Sequence, residues 1–93
     1  MAKIVATVQV ADLSKWEKSF RTHGELFHRQ TINGQYDYTM IEDGNRVVLC
    51  ADVSDVDKFF KVLESSEAED AKDLDGVKRE TIRFFVLDKQ FKF

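Results

Sequence analysis

Ninety-three residues with a formal net charge of −3 and a pI near 5.3 make a single domain, 1–93, and disfavour a nucleic-acid backbone as partner. The single cysteine, Cys50, cannot close an internal disulfide, no charged-then-apolar leader opens the chain, and no run approaches the roughly 20 apolar residues of a membrane span. A cytoplasmic, membrane-free protein is expected, and its eight Phe, two Tyr and one Trp need cover from water.

Lys3 to Val10 is rich in β-branched residues and reads as a strand, with Ile4, Ala6, Val8 and Val10 on one face and Val5, Thr7 and Gln9 on the other. A helix follows from about Ser14 to His23. Its Trp16, Phe20 and His23 share a side, Ser14 with Glu17 fits a capping box, and Gly24 suits the stop. Glu25 to Ile32 is predicted to be a second strand. Asn33-Gly34 is a hairpin signal, and Gln35 to Ile41 alternates Tyr36, Tyr38 and Met40. After the turn at Asp43-Gly44, Arg46 to Asp52 is apolar on both faces, as a strand covered above and below would be.

Ser54 with Asp57 repeats the capping device and opens a helix to about Ser65. Val56, Phe59, Phe60 and Leu63 form its stripe. Sliding Ala51 to Phe60 back by 40 positions lands on Ala11 to Phe20, so two strand-to-helix units are expected. Six acids and one base lie between Glu64 and Asp75, and Ala68, Ala71 and Leu74 keep helical spacing before Gly76. Thr81 to Leu87 is the last strand, followed by an apolar tail with Phe91 and Phe93.

Strand, helix, strand, strand, helix, strand is the ferredoxin-like βαββαβ plan of the α+β class, an antiparallel sheet with both helices on one face. Helices cover one face only, while the Val48 strand and the Phe85, Leu87, Phe91 and Phe93 series bring apolar residues to the other. A homodimer closing those faces into an α+β barrel is the expected remedy.

With that layout, Asp12, Trp16, Phe20 and His23-Gly24, then Arg46-Val47-Val48-Leu49, then Ser65-Ser66-Glu67 and Gly76-Val77, resemble the dimeric α+β barrel group, above all its small uncharacterised dimeric ferredoxin-like members. The resemblance spans most of the chain. It implies a fold and a dimer. The group holds cofactor-free monooxygenases, isomerases, haem enzymes and proteins with no known activity, and no catalytic residue is carried over from any of them.

No catalytic signature stands in the sequence. His23, His28, Cys50 and Asp52 show no ligand spacing, so no metal and no cofactor are expected. His23 reads as a helix-end residue, His28 as a base or sheet-edge residue, and Cys50 as a structural thiol. The first and last strands are neighbours in this plan, which brings Thr7 and Gln9 beside Thr81 and Arg83. Arg83 can fork onto a carboxylate with Gln9 assisting, His28 adds a polar group, and Tyr38 and Phe85 wall the apolar part. Two functional readings compete. One is a homodimeric small-molecule binder or cofactor-independent enzyme for an apolar ligand with a carboxylate or carbonyl group. The other is a non-catalytic structural or regulatory interaction module using the acidic 64–75 stretch.

Overall fold

The computed structural model describes residues 2–93. Its elements run β1 (Ala2–Val10), α1 (Leu13–Phe20), α2 (Gly24–Arg29), β2 (Asp37–Ile41), β3 (Arg46–Val53), α3 (Val56–Leu63), α4 (Ser66–Asp75) and β4 (Val77–Leu87). The sheet is antiparallel in the order β2-β3-β1-β4, with β1 and β3 central. This is the expected ferredoxin-like α+β fold, except that each crossover carries two helices. No helix among the described residues is long and apolar enough to cross a membrane.

Register fixes the two faces. β1 pairs Ile4 with Ala51 and Val8 with Val47 across β3, and Ala6 with Phe84 across β4. Those residues pack under the helices in two clusters, one around Phe59 and one around Trp16, which is 1% exposed. The opposite face carries Val5, Thr7, Thr39, Val48, Cys50 and Phe85, because a strand alternates its side chains. Cys50 therefore sits half-buried on the open face.

The caps correct the expected capping boxes. Asp12 Oδ1 accepts from the Lys15 backbone N–H at 3.0 Å, and Asp55 Oδ1 accepts from Lys58 N–H at 3.0 Å. Neither Ser14 nor Ser54 caps a helix; Ser54 Oγ donates to Asn33 Oδ1 instead. Each carboxylate satisfies one of the free amides of the first turn, and such a cap is worth about 1 kcal/mol. Asp55 stands 43 positions after Asp12, so the structural repeat runs Val10-Ala11-Asp12-Leu13 onto Val53-Ser54-Asp55-Val56 and places Trp16 on Phe59. The expected offset of 40 matches more letters but the wrong turn of helix.

The expected strand over 25–32 is helix α2. Its inward side is His23, Leu26, Phe27 and Gln30, spaced as one helical stripe, and Phe27 packs 4.7 Å from the Phe20 ring and 4.9 Å from Tyr36. Asn33-Gly34 is not a hairpin turn. Only Gly34 takes a positive φ, whereas that turn needs both residues there. The hairpin is made by the 42–45 loop, where Gly44 and Asn45 both lie at positive φ and join β2 to β3. Acidic α4 forms as its spacing suggests, capped by Ser65 and stopped by Gly76 at φ 71°. Its inner stripe, however, is Ala68, Ala71, Lys72 and Asp75, with Leu74 62% exposed.

Candidate functional site

Arg83, Gln9 and Phe85 share the open face of the sheet, while Tyr38 and His28 lie elsewhere. Arg83 pairs with Thr7 and Phe85 with Val5 on the open face, where Phe85 is 52% exposed. Gln9 shares that face, but at its far end, and its side-chain amide donates to the Gly44 carbonyl at 3.3 Å. The Arg83 guanidinium turns back onto its own strand, donating to the carbonyls of Ile82 at 2.8 Å and Glu80 at 3.1 Å. Thr81 sits in the β4 irregularity, where its hydroxyl accepts from the Gln9 N–H.

Tyr38 lies on the other side of the sheet, opposite Leu49, because the β2 register puts Asp37 and Thr39 on the open face. Its hydroxyl donates to Glu17 at 2.6 Å and accepts from Arg21 at 2.7 Å, which holds the Arg21 guanidinium above its ordinary value. His28 is exposed on α2 and lines a cleft with Tyr38, Arg21 and Gly34. That cleft is walled from the protein interior by Phe20, Phe27 and Tyr36.

The interior space behind those rings is the site that sequence reasoning missed. A cavity of about 100 Å3 lies between the sheet and all four helices, with Trp16, Phe20, Leu49, Phe59 and Phe84 among its walls. Four polar side chains reach it: His23, Gln30, Lys72 and Asp75, together with the Tyr36 phenol. They come from the α2 and α4 stripes, which face each other across the cavity. No group of three His, Cys, Asp or Glu among the described residues is placed to hold a metal ion.

His23 Nε2 lies 2.8 Å from Asp75 Oδ1, with the side chains 13% and 5% exposed. A carboxylate only accepts, so Nε2 carries a proton, and in the neutral imidazole that leaves the lone pair on Nδ1. His23 is also the residue before α2, yet its side chain makes no cap bond, so Nδ1 is not consumed by the helix. A histidine oriented by a buried carboxylate, beside an apolar cavity, is the arrangement of a general base. Lys72 is committed elsewhere. Its ammonium donates to Glu69 at 3.1 Å and to the Leu63 carbonyl at 3.4 Å, and this lysine is the first cause of a lowered Glu69 carboxyl.

Gln30 is 2% exposed, and its side-chain amide hydrogen-bonds no described residue; it borders the cavity space. Tyr36 is the second polar probe of the cavity. Burial alone raises its phenol above the ordinary value of 10.0. An unfolded chain releases that proton near pH 10 while the folded chain retains it, so the stability is whole below pH 10 and falls as pH rises beyond it. Tyr36→Phe should therefore lose less stability than the wild type between about pH 9 and 11. Urea midpoints across that range measure the difference, and parallel losses in the two proteins would refute it.

No family model matches the chain, and no curated protein matches its sequence. Solved structures do share its fold. SnoaB, a cofactor-independent oxygenase from Streptomyces nogalater, superposes with a TM-score of 0.70 at 18% identity, over 98% of this chain and 94% of its own. An antibiotic biosynthesis monooxygenase gives 0.69 at 12% identity, over 97% and 99%. A dimeric ferredoxin-like protein from an uncultured marine organism gives 0.58 at 11% identity, over 99% and 92%. At such identities the likeness is one of fold, and that fold is the ferredoxin-like one expected from the sequence.

Proposed function

We propose that the chain is a homodimeric, cofactor-independent enzyme that draws an apolar, carbonyl-bearing small molecule into the cavity between sheet and helices, where His23 removes a proton from it. The contact between His23 and Asp75 at the cavity wall carries this reading. In the step, Nδ1 takes a proton from the carbon next to the carbonyl. The C–H electron pair moves onto the carbonyl oxygen as an enolate, and Asp75 stabilises the imidazolium. The apolar walls strengthen both charges by excluding water. A ring-lined cavity of about 100 Å3 is below the roughly 150 Å3 that holds benzene, so a one-ring ligand is the upper limit and enters as the walls shift. The neighbour described as a cofactor-independent oxygenase supports chemistry run by side chains alone.

The reading moves the ligand from the dimer contact, where Arg83, Gln9 and Phe85 belong, to the protomer's own interior. Acetophenone in deuterated buffer tests it. Its methyl protons should exchange faster with the protein than in buffer, and His23→Gln should return them to the buffer rate. Exchange at the buffer rate with the wild type would refute the assignment. The alternative of a docking module on the acidic stretch is disfavoured by the ion pairs that stretch makes within the chain. Arg79 pairs with Glu69 at 3.0 Å and Asp73 at 2.6 Å, and Arg29 pairs with Glu67.

A further inference from the structure

We infer that the cavity selects an uncharged ligand, whose polar end is read by the Gln30 amide, and that it excludes carboxylates. This rests on the cavity being the ligand site. A side-chain amide this deeply buried, with no partner in the described chain, stands ready for a ligand group that offers both a donor and an acceptor. Gln30 follows Leu26 and Phe27 on the stripe that begins at His23, so it lies on the same cavity wall as the base. A ligand held by its carbonyl or amide at Gln30 keeps its apolar part among the rings.

A ligand that arrives as an anion is what the cavity cannot accommodate. Its one permanent cation, Lys72, is already answered by Glu69, and the His23 N–H by Asp75. A carboxylate entering would lose its water and gain no free cation, which is the costly case for a buried ion. The approach repeats the bias. A groove between α2 and α4 shares His23, Leu26 and Ala71 with the cavity wall and is flanked by Glu25, Glu67 and Asp70. The Arg29 that reaches Glu67 is thereby spent.

Benzamide and benzoate have the same shape and differ in charge, and toluene lacks the polar end, so these three are the probes. Binding is read by calorimetry and by quenching of Trp16, the chain's single tryptophan and a cavity wall. Benzamide should bind the wild-type protein at least tenfold more tightly than benzoate. Gln30→Leu should weaken benzamide about tenfold while leaving toluene unchanged. Toluene binding also reports whether that variant still folds around its cavity. Benzoate binding as tightly as benzamide, or benzamide indifferent to Gln30→Leu, would overturn the inference and leave the cavity reading standing. Failure of all three to bind would overturn both.

Discussion

Val48→Lys should yield a particle of 10.8 kDa in light scattering at micromolar concentration, where the wild type should run at twice that mass. The position is chosen from the register. Val48 lies in central strand β3, between Thr7 of β1 and Thr39 of β2, in the middle of the open face. Around it Phe85, Leu87 and Ile41 are 52%, 50% and 43% exposed in the protomer. Four strands about 4.8 Å apart and about eight residues long make a face of roughly 500 Å2. Stable partners cover about 800 Å2 each, so the sheet alone falls short. The tail is expected to make up the difference. Phe91 and Phe93 are almost wholly exposed and stack on each other 6.1 Å apart, beyond the end of β4 where they can reach across to a twin.

In a lone protomer the introduced lysine would point into water and cost little, so the helical and strand circular-dichroism signals should survive the change. In a dimer its ammonium would be buried without a partner, at about 2–5 kcal/mol, which weakens association about thirtyfold or more. A wild-type mass of 10.8 kDa would sink the dimer and, with it, the explanation of this face.

How far the sequence can be read follows from where each signal lives. β1, β3 and β4 announce themselves through runs such as Ile4, Ala6 and Val8 or Ile82, Phe84 and Val86, a pattern internal to each strand. Their neighbour relations then follow from topology, which is why Thr7 and Arg83 pair as expected. Helix α2 is only six residues long, and Leu26, His28 and Gln30 also alternate, so a strand fits it equally well until packing decides. Tyr38 lands on the face opposite to the expected one because a single-residue change of parity moves a whole strand's side chains. The site itself joins residues 52 positions apart. Its local trace is present but divided. His23, Leu26, Phe27 and Gln30 on one helix mirror Ala68, Ala71, Lys72 and Asp75 on another, and each stripe carries polar residues where an ordinary core stripe would be apolar. Only the approach of α2 to α4 shows that these polar positions share one space.

The pair that joins them yields the other large effect. His23→Leu should destabilise the protein by about 3 kcal/mol, because it strands the Asp75 carboxylate at 5% exposure with no partner. A domain of this length holds only about 5–14 kcal/mol in all, so the urea midpoint should fall visibly. Asp75→Leu, which strands a neutral imidazole instead of a charge, should cost less. The double replacement His23→Leu with Asp75→Leu should recover much of the loss, since two apolar side chains of similar volume fill the same space without a charge to desolvate. Proton exchange on acetophenone separates structure from chemistry in the same series. The double variant should be folded and unable to accelerate exchange, because the lone pair on Nδ1 is gone however well the helices pack. If the double variant instead exchanged acetophenone like the wild type, His23 would be a strut between α2 and α4 and the base would lie elsewhere.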